Sequence, residues 1–441
     1  MEILRQAQEM IEKYALCNNC LGRQFAMLAY GIDNKKRGDA LKLLLAMDGQ
    51  LKALANKKEG IALLKALATN GSFTMAKTIL KRMHKRAKAE KICYLCEGKI
   101  GLVQELATQA IKQLETLEYT SFLVGIELPL EIEEREDELK AEFGLMYGEG
   151  MRNELSREIG KAIATQTSKE VDYGNPDVVV LANPFADQIS LKLNPLYIGG
   201  RYKKLLRGIP QSKWFCSRCR GKGCEKCNWT GKMYQESVEE FIGKPIQETA
   251  EGTDTSFHAS GREDIDARML GKGRPFILEV KEPRKRVLNL EKLRQTINQR
   301  AKDKISVSKL HISTKDDVRN LKKGEKSEKV YRVTIKFNRG IADEELALLE
   351  EALTNTTIRQ KTPTRVLHRR ADRTREKHIY KANIKRMSKN TVKMKIRCEG
   401  GLYVKELITS DKGRTVPSIS QILNTAATPI KLDVLNVFYE R

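Results

Sequence analysis

The sequence predicts a multidomain α+β protein: a helical N-terminal region, a small α/β region, and a larger C-terminal unit built on a largely antiparallel mixed sheet. Three observations predict this. Apolar residues recur at three- and four-residue spacing through the first hundred positions, the pattern of one helix face. Period-two alternation dominates after about position 270, as in "YRVTIKF", where Tyr331, Val333, Ile335 and Phe337 fall on one side and Arg332, Thr334 and Lys336 on the other. The chain of 441 residues exceeds one ordinary core, so two to four domains are expected.

Element by element, "KRGDALKLLLAMDGQLKAL" and "FTMAKTILKRMHKRAKAEK" read as amphipathic helices in a helical region spanning 1–118. Residues 119–210 then alternate strands and helices. They run from the strand "SFLVGIEL" through the acidic run "EIEEREDELKAEF" to the helix "MRNELSREIGKAIATQT", the strand "PDVVVLAN" and the stretch "ISLKLNPLYIGGRYKKLLRGIP". A cysteine-rich knuckle and linker fill 211–250. The remainder, 251–441, holds the strands "RPFILEV", "VSKLHIS", "YRVTIKF" and "VKMKIRC", the helix "ADEELALLEEALTN" and a last apolar stretch "KLDVLNVFY". Helices packed on one face of this sheet would complete an α+β unit.

Lys and Arg total 81 against 57 Asp and Glu, a net charge of +24, which favours a polyanionic partner. No apolar run approaches the roughly 18 residues of a membrane helix, and the N-terminus lacks the pattern of a secretory leader. A soluble, cytosolic protein is expected. Eight of nine cysteines form C-x-x-C pairs: Cys17/Cys20, Cys93/Cys96, Cys216/Cys219 and Cys224/Cys227. In a reducing compartment such pairs hold metal, and tetrahedral zinc takes two pairs per ion, so two structural zinc sites are predicted. If the first two pairs share one ion, it ties together chain segments more than seventy residues apart. Cys398 stands alone on the apolar side of its strand and is expected to be buried.

Ten Lys or Arg against two acidic residues lie between Gln360 and Arg386, and ten against three between Lys281 and Lys309. Such stripes neutralise phosphates without reading sequence. The exception is "ASGREDIDARMLGKGRPF", which places Asp264 and Asp266 beside Arg262. A carboxylate in a basic groove repels phosphate, so pure binding gains nothing from it. An ionised aspartate can instead act as a nucleophile. The plainer reading, a turn or a salt bridge, stands beside this one for any isolated G-R-x-D. "GKGR" at 271–274 reads as a glycine turn, because no G-K-S/T follows it.

The motif is not isolated. "ASGREDIDARMLGKGRPFILEVKEPRKR", "KVYRVTIKF", "IRQKTPTRVLHRRADRTREKHIY", "EGGLYVKELITSDKGRTVPSISQILN" and "PIKLDVLNV" follow in order and resemble the archaeal and eukaryotic tRNA pseudouridine synthases that act on the T-arm of tRNA. "PDVVVLAN" and "NPLYIGGRYKKLLRGIPQSKW" resemble their THUMP-like RNA-binding domain, and "CNNCLGRQFA" their first zinc half-site. The resemblance implies a pseudouridine-synthase-type catalytic domain that isomerises uridine at position 55, and at 54, in tRNA numbering. It implies Asp264 as the catalytic aspartate, Arg262 as its ion-pair partner, Tyr331 as the ring stacking on uracil, and Lys405 as the basic residue that pairs with the aspartate. Val404 and Leu432 become apolar pocket positions, with Val404 standing where Ile is more usual. Isomerisation needs no redox partner or group donor, so no organic cofactor is implied. The partner would be tRNA, held by its T-arm and acceptor stem, and the protein a monomer. Two rivals differ from this in what they require. A non-catalytic tRNA-binding protein would not need Asp264, Tyr331 and Lys405 together. A THUMP-bearing methyltransferase or thiolase would need a glycine-rich nucleotide loop after a parallel strand.

Overall fold

The computed structural model describes residues 2–323 and 327–438, and the chain divides into two compact units, 1–194 and 195–441. In the first unit, helices Glu2–Lys13, Asn18–Arg23, Asn34–Leu54, Lys58–Thr69 and Thr74–Arg82 precede a four-stranded sheet. Its strands are β1 (Ser121–Ile126), β2 (Glu170–Val171), β3 (Val178–Asn183) and β4 (Gln188–Leu193), in the order β2-β1-β3-β4. Helices and sheet share one core, running from Met10 and Leu64 to Phe122 and Val180.

Helices Asn18–Arg23 and Asn34–Leu54 approach so closely that a Cβ on Gly22 would stand 1.9 Å from the Asn34 carbonyl oxygen. Only glycine fits there. The acidic run lies on helix Leu130–Glu142, where Glu136 turns inward. Together with Glu154 it meets the fully buried Arg23, at 2.9 and 2.8 Å. The helix expected over 73–91 ends early, at Arg82. His84 takes a left-handed conformation, and the repulsion among Lys81, Arg82, Lys85 and Arg86 opposes another turn.

The second unit carries β5 (Leu196–Lys204), β6 (Asp254–Ala259), β7 (Arg268–Lys281), β8 (Ile305–Ser313), β9 (Lys329–Phe337), β10 (Thr356–Lys361), β11 (Thr374–Ser388), β12 (Thr391–Cys398), β13 (Thr415–Val416) and β14 (Ala427–Val437). Among the described residues these form one ten-stranded sheet, ordered β13-β10-β11-β12-β9-β14-β7-β5-β8, with β6 also paired to β7. Every pairing is antiparallel except that of β14 with β7. The expected largely antiparallel mixed sheet is therefore present, and the fold is α+β.

Two differences from the sequence reading matter for the site. Sequence alternation groups 196–210 with the small α/β region, but β5 pairs with β7 and β8 inside the large sheet. Alternation identifies a strand without naming its neighbours. The glycines of "GKGR" form no turn; they lie within β7 at positive φ, and a Cβ on Gly271 would stand 2.0 Å from the Leu435 carbonyl oxygen. Gly271 lets β7 pass close to β14, and Gly273 lets it pass close to β5, where a Cβ would stand 2.8 Å from the Tyr202 carbonyl oxygen.

The unit has two main cores. One gathers Val333, Phe337, Ile379 and Met394 under helices Asp343–Leu353 and Val404–Thr409. The other gathers Ile198, Tyr202, Phe276 and Leu278 under helices Val238–Ala250 and Leu290–Arg300. Tyr331 packs against both, beside the single parallel junction. Cys398 is fully buried, and burial pushes its thiol up to about 12.

Candidate active site and metal centres

A cavity of about 700 Å³ opens at this seam, and Arg262, Asp264, Tyr331, Val404, Lys405 and Leu432 all line it. Four separate segments of the chain supply them. Tyr331 comes from the inward-facing register of β9 and Leu432 from β14, while Val404 and Lys405 begin helix Val404–Thr409. The buried Gln360 fixes that helix start, since its side-chain amide accepts from the Tyr403 backbone N–H at 2.9 Å and donates to the Tyr403 carbonyl at 3.1 Å.

Asp264 projects from the loop between β6 and β7, and every flank of that loop is pinned. Glu263 is buried against Arg274, with Nε 2.8 Å from its carboxylate, and the Arg274 Nη1 donates to the Ser260 carbonyl at 2.6 Å. The Tyr202 hydroxyl donates to Glu263 at 3.0 Å, and Gln211 donates to Tyr202 at 2.7 Å and to the Gly261 carbonyl at 3.0 Å. The fully buried Lys204 ammonium donates to the carbonyls of Asp264 and Ile265, both at 3.1 Å. Arg207 donates to the carbonyls of Asp266 and Leu432 at 2.7 and 2.6 Å and meets Asp433 at 2.5 Å. Buried charges persist only when paired and hydrogen-bonded, so this floor holds one geometry or loses several kcal/mol.

The Asp264 carboxylate meets Arg365 at 3.2 Å and Lys405 at 3.2 Å. Burial opposes its ionisation, yet the charges of Arg365 and Lys405 hold it below the usual carboxylate range. It is therefore an anion at neutral pH, poised to donate electrons. Lys405 is shared, lying 2.7 and 2.8 Å from the two oxygens of the more exposed Asp266. Arg365 is held in turn by Glu406 at 2.7 Å. Burial pushes the Tyr331 phenol up, which keeps it neutral beside the carboxylate. Arg262, expected as the ion-pair partner of Asp264, instead has its guanidinium carbon 5.7 Å from the Trp214 ring centroid, and Arg365 takes the place expected for it at the carboxylate.

Sequence reasoning did not single out Arg365, Lys204 or Arg207. Arg365 was one cation within a basic stripe. Lys204 carried a usable signal, because it shares an inward-facing register with Leu196, Ile198 and Tyr202, where a lysine is out of place.

The cysteines gather as two quartets, Cys17/Cys20/Cys93/Cys96 and Cys216/Cys219/Cys224/Cys227, with all sulfurs of a quartet within 4.8 Å of one another. A tetrahedron with metal–sulfur distances of about 2.3 Å has edges of about 3.8 Å. The Cys17–Cys96, Cys216–Cys224, Cys219–Cys227 and Cys224–Cys227 sulfur separations are 3.7, 3.9, 3.8 and 3.7 Å. Both quartets fit a four-coordinate metal ion with no position left open for chemistry.

A family model described as "Pus10, C-terminal" matches residues 197–438, and one described as "Pus10 THUMP domain, archaeal" matches residues 106–183. The chain is 43% identical over 445 residues to a Methanocaldococcus jannaschii protein and 41% identical over 438 residues to one from Methanothrix thermoacetophila, both named "tRNA pseudouridine synthase Pus10". Each alignment covers 99% of this chain and 94% of the relative. A Pyrococcus furiosus protein of the same name is 35% identical, covering 99% and 98%. Among solved structures, one titled "Crystal structure of pseudouridylate synthase" aligns over 63% of this chain and 81% of that chain, at 11% identity and a TM-score of 0.20. By identity sustained along its full length and by both matched segments, this chain belongs to the Pus10 family of tRNA pseudouridine synthases.

Proposed function

We propose that the chain isomerises uridine to pseudouridine in the T-arm of tRNA, at position 55 and also at 54, with Asp264 as the reacting carboxylate. The observation that carries this reading is an ionised aspartate, flanked by Arg365 and Lys405, in a cavity that also presents the Tyr331 ring and the apolar Val404 and Leu432. The target base must leave its stack to be turned, and an aromatic cover with apolar walls would hold it while extruded. Asp264 would act by attacking carbon 1 of the ribose or by taking its carbon 2 proton to give a glycal. Either route breaks the bond to nitrogen 1; once the base rejoins the ribose through carbon 5, that carbon gives up its proton and nitrogen 1 takes one up, so the isomerisation balances and the aspartate returns to its starting state. Lys405 and Arg365 would keep the carboxylate ionised, and Arg262 would contribute positive charge at the cavity mouth.

The two cysteine quartets would hold zinc as structural ions. The THUMP-like segment and the basic stripes would grip the tRNA backbone through the T-arm and acceptor stem, with the protein acting as a monomer. The deciding experiment incubates pure protein with unmodified tRNA and maps pseudouridine by chemical probing. Modification at 55 and 54 is expected. A tRNA left unmodified at both would sink the reading.

A further inference from the structure

The knuckle in the second unit carries a tryptophan that its fold does not use. Trp229 is 77% exposed, and among the described residues its indole has no hydrogen bond or ring contact. Tryptophan is highly buried on average. Its backbone is also unusual: Asn228 and Trp229 both sit at positive φ, 50° and 61°, a conformation rarely taken by a bulky residue. The quartet enforces it. The Trp229 N–H donates to the Cys224 carbonyl at 2.9 Å, and Thr230 and Asn228 bond back to Cys227 and Glu225. Local strain thus holds an aromatic ring out in solvent.

The surroundings identify a partner. Lys213, Arg218, Arg220, Lys222, Lys226 and Lys232 crowd the knuckle, within which Glu225 is the one carboxylate; Glu240, from the helix that follows, pairs with Lys232. Even with the two negative charges of a zinc tetrathiolate, the module is cationic. Phe215, 55% exposed, offers a second ring with the Lys213 ammonium 4.9 Å from its centroid. An exposed ring among a surplus of cations suits a single-stranded polyanion with flat faces. An apolar protein groove would not call for those charges. The stem of the knuckle is tied at Trp214, whose carbonyl accepts from Met233 at 2.9 Å and whose ring borders a hollow shared with Asp264. The ring is therefore carried on a module rooted at the rim of the candidate active site.

We infer that Trp229 is a stacking platform for an unpaired nucleobase of the RNA substrate, outside the cavity that takes the reacting uridine. This rests on the reading that the substrate is tRNA, so the test has one arm independent of catalysis. In the kinetic arm, Trp229→Ala is expected to raise KM for tRNA by roughly 5- to 150-fold with kcat within about twofold, and Trp229→Phe to recover most of the loss. In the fluorescence arm, an unpaired RNA dodecamer should quench the emission component that wild type has and Trp229→Phe lacks, and a blunt RNA duplex should not. Zinc content is measured on each variant, and if Trp229→Ala loses metal the fluorescence arm decides alone. An unchanged KM in a zinc-replete Trp229→Ala variant, failure of Phe to rescue, equal quenching by duplex, or a Trp229 already shielded from acrylamide without RNA each overturns the inference. Quenching by the dodecamer from a protein that modifies no tRNA would leave the platform standing and remove the proposed activity.

Discussion

Asp264 and Asp266 are the same side chain two residues apart, and Lys405 touches both, so they form a natural pair of opposites. Asp264→Asn keeps the shape and removes the proposed reacting anion; pseudouridine formation should fall below about one hundredth, with tRNA affinity unchanged or slightly tighter because one negative charge leaves a positive groove. Asp266→Asn should remain active, since it releases Lys405 to Asp264 alone. The reverse outcome, measured by single-turnover assay, would move the chemistry to Asp266. A second expectation concerns pH. In the proposed reaction Asp264 acts as an anion, and its pKa is depressed, so activity should be lost only as pH falls through a value below the ordinary Asp figure of about 3.9. Arg365→Gln removes a cation that lowers this pKa and should move the acidic limb to higher pH. An unmoved limb in the pH–rate profile would mean that Arg365 does not set the charge state of Asp264.

Among the elements, the cysteine quartets make the sharpest demand. The first joins the turn before helix Asn18–Arg23 to a loop carrying Cys93 and Cys96, and the second closes the knuckle within a dozen residues. Metal analysis should return two zinc ions per chain, and a strong chelator should lower the melting temperature and release both, since ligand thiolates left without metal lose the energy that closed them. One zinc or none on carefully purified protein would contradict this. These quartets were legible because C-x-x-C spacing is itself the geometry of a bidentate turn. The Tyr331 face of β9 was legible for a similar reason, as period two maps directly onto a pleated strand. The association of β5 with β7 and β8 was not, because partner choice depends on residues some seventy to a hundred positions further along the chain. Nor was the role of Arg365, one among 81 basic residues, distinguished only by the carboxylates it meets. The resemblance to a known family supplied Asp264, Tyr331 and Lys405 as a set, which alternation and charge alone would not have assembled.

For the whole molecule, a net charge of +24 predicts binding led by phosphate contacts. With six to ten such contacts, tRNA affinity should fall by about three to five decades between 50 and 200 mM salt, and a flat profile in filter binding would argue against it. The division at 194/195 predicts where the chain can be cut. A fragment of 195–441 should melt cooperatively, whereas 211–441, lacking β5, Lys204 and Arg207, should not; equal melting of the two would mean that β5 is dispensable. The floor beneath Asp264 has a practical consequence. Its pieces are drawn from positions 202 to 211, 260 to 274 and 432 to 433, so the floor is complete only when the sheet has closed from both ends of the unit. Turnover then serves as a reporter of completed assembly: during refolding it should lag behind the recovery of secondary structure, and a partly formed intermediate would register as silent however much strand it contained.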